Sequence, residues 1–398
     1  MTRAKQLRKE LLEQLDSSWE ISDEEILEMI DELILKNSRK QYLTLPEKDR
    51  LRQELFCSVR KLDVLQELLD DDQVTEIMVN GWNQIFVERE GKIRLWEKTF
   101  LSEEKLYDVI QQIVAYSNRV INTSKPIVDA RLENGARVNA VIAPVALNGP
   151  ILTIRRHPDQ PITLTQLIQN NSVTKEAAEF LKKLIRGKYT MMIGGGTGAG
   201  KTTFLNALSN YIPKDERVVT IEDNAELQIQ GIENLVRLET KMENMEGSQE
   251  ITIRELMKTA LRLRPDRIIV GEVRSSEAVD LLQAINTGHE GSLSTAHANS
   301  GADMVSRLET MALMGLSLPL EAIRRQIAAG FDLFIHLGRM PDKSRKVLEI
   351  SEVEGFEGGQ VILHPVFQWK EGRGLIRTGT LNHTEKLERE GVIYEDEL

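Results

Sequence analysis

The sequence predicts an α/β protein: a domain built on a doubly covered, mostly parallel sheet over residues 165–398, preceded by a smaller α+β domain over 71–157 and an N-terminal helical bundle over 1–70, with 158–164 as linker. Three observations carry this. After residue 165, strand-like and helix-like segments alternate, the signature of parallel strands with helices on both faces. A glycine-rich octet at 195–202 follows an apolar run and opens a helix. Pro158 and Pro161 restrict the backbone between that region and what precedes it.

The elements follow in order. Leu7, Leu11 and Leu15 recur at helical spacing, as do Ile26, Ile30, Leu33 and Ile34, whose helix Ser22 and Glu25 open as a capping box. Pro46 suits the first turn of a third run through Leu51, Leu55, Val59, Leu62 and Leu69. Strand-like pieces at 76–79, 85–87, 138–142 and 151–154 surround a helix at 103–116. In the second half, strands at 190–193, 218–221, 268–270 and 292–296 alternate with helices at 201–210, 253–263 and 276–285. After Phe331 the pattern turns to strands, and the acidic end from Tyr394 to Leu398 reads as frayed.

Composition excludes several classes. The 398 residues allow two or three domains at about 150 each. A 41% hydrophobic share with 26 glycines is that of an ordinary globular protein, so wholesale disorder is excluded. A net charge of −11 gives no global field for a polyanion, and no nucleic acid is expected as partner. Cys57 is the one cysteine, which rules out an internal disulfide or a zinc site with two thiolates and suits a reducing cytoplasm. Charges run through the first thirty residues and no apolar stretch approaches ~18 residues, so neither a signal peptide nor a membrane span is expected. Any membrane association would run through partners.

The octet Gly195-Gly196-Thr197-Gly198-Ala199-Gly200-Lys201-Thr202 fits the P-loop pattern, with Met191, Met192 and Ile193 before it and Phe204, Leu205 and Leu208 after it. Glycines let consecutive N–H groups converge on phosphate oxygens, and the helix that follows adds the positive end of its dipole. Lys201 supplies charge between the β and γ phosphates, the Thr202 hydroxyl suits Mg2+, and Thr203 completes the first turn. ATP with Mg2+ is the expected ligand pair. Two strand ends offer the carboxylates that hydrolysis needs: Glu272, ending the run Arg267-Ile268-Ile269-Val270-Gly271, and Glu222, ending 217–221. Either fits the role of base or of magnesium holder.

Two of the six histidines, His289 and His297, flank the short strand at 292–296. His297 is placed to contact the γ-phosphate, with His289 further back. Arg137, Arg155 and Arg156 lie before the linker, and an arginine carried by a moving domain can stabilise charge on a transferring phosphoryl group. Other features are bland: Cys57 sits in an amphipathic helix, Met304, Met311 and Met314 suit a core, and Trp82 and Trp96 need no cofactor.

The segment Leu261-Arg262-Leu263-Arg264-Pro265-Asp266-Arg267 through Glu272-Val273-Arg274, with Thr287-Gly288-His289 and Ser294-Thr295-Ala296-His297-Ala298-Asn299-Ser300, resembles the Walker B and His boxes of secretion ATPases, most of all the CpaF (TadA-like) branch that powers Tad-type pili. Val219-Thr220-Ile221-Glu222-Asp223 is similar to that family's Asp box. Residues 126–132 and 153–156 resemble its amino-terminal domain. Asn134-Gly135-Ala136-Arg137 stands where Asp-Gly-Ser-Arg is usual, and Ser275 where glycine is common. The resemblance implies a cytoplasmic homohexamer in which a PAS-like α+β domain swings over a RecA-like P-loop ATPase domain. Arg137 and Arg155 would reach the phosphates in the closed form, and an inner-membrane platform protein would be the partner. A type IV secretion or archaeal-type filament motor is the neighbouring reading. A DNA-stimulated RecA-like translocase is the reading from another class.

Overall fold

The computed structural model describes residues 6–11, 21–38, 42–89, 91–156, 161–241 and 249–394, which divide into two compact units, one up to residue 156 and one from residue 161. Leu15 and residues 158–160 of the expected linker lie outside the described residues.

In the first unit, residues 6–11 are helical and α1 (Asp23–Ser38) and α2 (Leu45–Arg60) follow. Leu7, Leu11, Ile26, Ile30, Leu33, Ile34 and Leu55 form their core. The Ser22 box forms as expected, the Ser22 N–H donating to Glu25 Oε2 at 2.8 Å and the Glu25 N–H to Ser22 Oγ at 3.3 Å. The third run is not one helix through Leu69. It stops at Arg60, and a separate turn α3 (Leu65–Leu69) follows, because Asp63 takes φ +53° and turns its buried carboxylate to Arg8 at 3.0 Å.

Six antiparallel strands come next: β1 (Val74–Asn80), β2 (Ile85–Arg89), β3 (Lys92–Leu95), β4 (Ile127–Arg131), β5 (Arg137–Val141) and β6 (Ile151–Arg155), in the order β3-β2-β1-β6-β5-β4. Alternate residues such as Ile77, Val79, Val138, Ala140, Leu152 and Ile154 face α4 (Glu103–Tyr116) in one core. The two edge strands, β3 and β4, escape the sequence reading because β3 is exposed at every residue and neither shows a clean apolar alternation. Arg137 and Arg155 are cross-strand partners, with Glu76 opposite Arg155 on the other side.

The second unit opens with α5 (Leu164–Gln169), which takes the last residue of the expected linker, and α6 (Lys175–Arg186). Its sheet holds β7 (Met191–Gly195), β8 (Val218–Glu222), β9 (Leu235–Glu239), β10 (Arg267–Val273), β11 (Leu293–Ala296) and β12 (Leu333–Arg339) as parallel strands in the order β12-β7-β11-β10-β8-β9. From β12 the sheet continues antiparallel through β13 (Arg345–Glu357), β14 (Gln360–Lys370) and β15 (Gly374–Arg377). Double coverage is visible in β7: Met191 and Ile193 enter one core with α6 and α7 (Lys201–Ser209), while Met192 enters the other. That other core is completed by α8 (Ile253–Ala260), α9 (Ala278–Ile285), α10 (Gly301–Gly315) and α11 (Leu320–Gly330).

Two expectations change here. Met304 and Met311 are buried, but Met314 falls off their stripe at the end of α10 and is 65% exposed. Tyr394 is not frayed: Arg377 donates to its hydroxyl at 3.0 Å and its ring meets Phe180 at 6.3 Å between centroids. Residues 395–398 lie outside the described ones. No helix among the described residues is long and apolar enough to cross a membrane.

Candidate functional site

Because β7, β8, β10 and β11 are parallel, their carboxyl ends share one edge of the sheet, where ligands of open α/β sheets collect. The octet leaves β7 at that edge. Gly195 is required by close approach, since a Cβ there would stand 2.7 Å from the Leu337 carbonyl of β12. Gly200 is required by conformation: it caps α7 at φ +91° and offers no side-chain cap, so the first-turn N–H groups of α7 remain for an anion.

Lys201 is buried and folded back on its own loop. Its Nζ donates to the carbonyls of Gly195 at 3.1 Å and Gly196 at 3.2 Å, and His297 Nδ1 lies 3.4 Å away. Burial pushes the ammonium pKa down, against the pull of Glu272. His297, just past β11, places its other ring nitrogen 2.9 Å from Glu272 Oε1 at the end of β10. Glu272 Oε2 accepts from Arg274 Nε at 2.8 Å, and Arg274 also reaches Asp223 at 3.6 Å. Lys201, His297, Glu272 and Arg274 thus form one continuous polar chain.

Glu222 reaches the same edge but is used differently. It is 3% exposed, and its Oε1 accepts from the backbone N–H groups of Glu226 at 2.8 Å and Leu227 at 2.9 Å, pinning the loop after β8. Burial raises its carboxyl pKa and those two donors pull it back. Thr197 and Gly198 lie exposed in the loop, Ala199 is buried beneath it, and Thr202 and Thr203 sit half-buried in the first turn of α7. His289 is not brought to this edge. It precedes β11, at the amino-terminal side of the sheet, with Nδ1 3.1 Å from the Ala284 carbonyl. Arg137, Arg155 and Arg156 belong to the first unit, where Arg156 bonds the Asp71 carbonyl and lies 3.5 Å from Asp72.

Two residues escaped the sequence reading. Arg274 stands two residues after Glu272, so strand alternation puts both side chains on one side, a signal that was present. Arg345 donates from Nε to the Gly198 carbonyl at 2.9 Å. It reaches the loop only through the pairing of β13 with β12 and β12 with β7, which no local pattern announces.

As to a resident cation, hydroxyl and carboxylate oxygens are the donors magnesium prefers. Glu272 Oε1 is buried beside His297 with no well-aligned hydrogen bond, which leaves a carboxylate oxygen for a hydrated cation or a water. Thr202, Glu272 and Glu222 fit such a group.

The family described as "Type II/IV secretion system protein" matches residues 59–357. A putative conjugal transfer protein of Mycobacterium tuberculosis is 34% identical over 318 residues, covering 78% of this chain and 89% of that one. The type IV secretion system protein VirB11 of Brucella suis is 31% identical over 303 residues, covering 69% and 84%. Among solved structures, the ATPase DotB of Legionella pneumophila superposes with a TM-score of 0.52 at 22% identity, covering 74% of this chain and 80% of that one. The pilus retraction motor PilT does so with 0.51 at 19%, covering 82% and 86%, a likeness of fold. The α/β class read from the sequence therefore holds, and the chain belongs to the type II/IV secretion system protein family.

Proposed function

We propose that this protein hydrolyses ATP to drive a type IV secretion-type machine. The observation that carries the proposal is the convergence of Lys201, His297 and Glu272 behind an uncapped helix N-terminus at one sheet edge. The first-turn N–H groups of α7 hold the phosphates, and Lys201 moves from the Gly195 and Gly196 carbonyls to the anionic oxygens. Glu272, whose Oε1 has no aligned donor, orients the attacking water and takes its proton. Glu222, already bonded to two amides, holds the loop that frames the site. Thr202, Glu272 and Glu222 are the residues that would hold magnesium, which would neutralise phosphate charge.

The relatives named above are a conjugal transfer protein and VirB11, which favours a type IV secretion setting over the Tad-pilus branch suggested by the boxes around Glu272. Assembly as a homohexamer with a membrane-embedded partner, and delivery of Arg137 and Arg155 to the phosphates, complete the reading; both rest on family likeness. Phosphate release from ATP by the purified chain, with and without magnesium, is the test. Nucleotide binding without turnover would replace the motor with a nucleotide-gated scaffold.

A further inference from the structure

The first unit holds a second concentration of cations. A cavity of about 520 Å³ between α2, β2 and β3 is lined by Arg50, Arg89, Lys92, Arg94 and Lys98, against two carboxylates, Glu67 and Glu97. In a chain of net charge −11 this is a local inversion of sign. Arg89 is committed to Asp71 at 2.6 Å, and Lys98 to Glu54 at 2.8 Å and Glu67 at 2.5 Å. Arg50, Lys92 and Arg94 have no ion pair or hydrogen bond among the described residues.

Their placement is not that of ordinary surface charge. Lys92 pairs across the sheet with Arg89 and Arg94 with Val87, so both stand on the strand face that elsewhere carries the apolar core. The register puts these cations on the same face as Val87, at the exposed edge of that sheet. Trp96 forms part of the wall, with the Arg89 guanidinium 5.2 Å from its ring centre. Its indole Nε1 and Arg89 Nε are buried donors with no acceptor. Lysine on an edge strand also guards against strand addition, but that role needs neither Arg50 from another element nor unanswered donors on the wall.

We propose that this cavity binds a phosphate group, at a site separate from the P-loop. Forked arginine donors beside a lysine suit the several oxygens of a phosphate. A free phosphorylated metabolite and an anionic lipid headgroup share this chemistry.

The experiment uses the full chain carrying Lys201→Ala, so that the P-loop contributes less to anion binding, with and without Lys92→Ala plus Arg94→Ala. Inorganic pyrophosphate is titrated by calorimetry, and sedimentation is measured with phosphatidylcholine vesicles with or without phosphatidylglycerol. Saturable pyrophosphate binding, weakened about tenfold or more by the double substitution, supports the site with a free phosphate as its source. Sedimentation only with phosphatidylglycerol vesicles, abolished by the same substitution, supports it with a lipid source. Both changed residues are exposed, so unfolding temperature stays level, and Lys92→Arg with Arg94→Lys restores binding. Equal binding by the double variant, or no binding of either probe, overturns the proposal and leaves the cations as edge protection.

Discussion

His297 Nε2 stands 2.9 Å from Glu272 Oε1, while its other ring nitrogen lies 3.4 Å from the Lys201 ammonium. The imidazole therefore joins the group that would hold phosphate to the group that would direct water. Under the proposed function, a Lys201 that left its loop carbonyls for a phosphate would shift the positive charge facing His297 Nδ1, and the ring would carry that change to Glu272.

Replacing Glu272 by Gln preserves shape and removes the charge. Nucleotide binding persists and turnover falls by roughly a hundredfold or more. Glu222→Gln keeps an oxygen for the Glu226 and Leu227 N–H groups, so the loop holds, whereas Glu222→Ala strands two amide donors, the Leu227 one buried, and costs about 1–3 kcal/mol. Phosphate release and equilibrium unfolding on the three variants separate the two carboxylates.

Burial, reinforced by the Lys201 charge and opposed by Glu272, holds the His297 pKa below its ordinary 6.5. The ring is neutral at pH 7. As pH falls, the unfolded chain gains its proton first, at about 6.5, so the neutral ring contributes stability above that pH which is lost as pH drops toward the lowered folded value. Protonation also adds charge beside Lys201 and closes the ring on Glu272. Turnover is expected to fall on the acid side of neutrality, and His297→Asn to lose that limb in a pH–rate profile.

Arg267 is fully buried at the opposite end of β10 from Glu272, its Nε and Nη2 on the Glu216 carboxylate at 2.5 and 2.9 Å and its Nη1 on the Ile185 carbonyl at 2.6 Å. Arg267→Met leaves Glu216 as an unpaired charge and is expected to cost about 3–5 kcal/mol. Adding Glu216→Leu recovers most of that loss in urea unfolding. A small cost for the single change would mean that water reaches Glu216.

The sequence displayed the nucleotide edge well because its parts are local. An apolar run, a glycine loop and a helix start lie within twenty residues, and carboxylates at the ends of buried runs announce themselves. What stayed hidden depends on pairing between distant segments. Arg345 reaches Gly198 only through two strand pairings, and the break at Asp63 depends on an arginine more than fifty residues earlier. Exposed edge strands such as β3 carry no alternation to read. The sequence reading set His289 behind His297, and the strand direction takes this further, sending the two to opposite ends of β11.

A motor ring requires each subunit to act against a neighbour in a closed heterologous assembly. Sedimentation with ATP and magnesium is expected to show a hexamer. Arg155→Ala is expected to slow turnover more than it weakens nucleotide binding, since a charge delivered on closure acts on the transition state. A monomer with full activity would defeat the ring.

Phosphate release from ATP by the purified full chain, compared with Lys201→Ala, tests the central claim most directly. The account predicts magnesium-dependent turnover in the native chain and its loss in the variant, because Lys201 is the buried ammonium in the first turn of α7, whereas the neighbouring Arg345 guanidinium is held on the Gly198 carbonyl. Turnover that survives Lys201→Ala undiminished would contradict it.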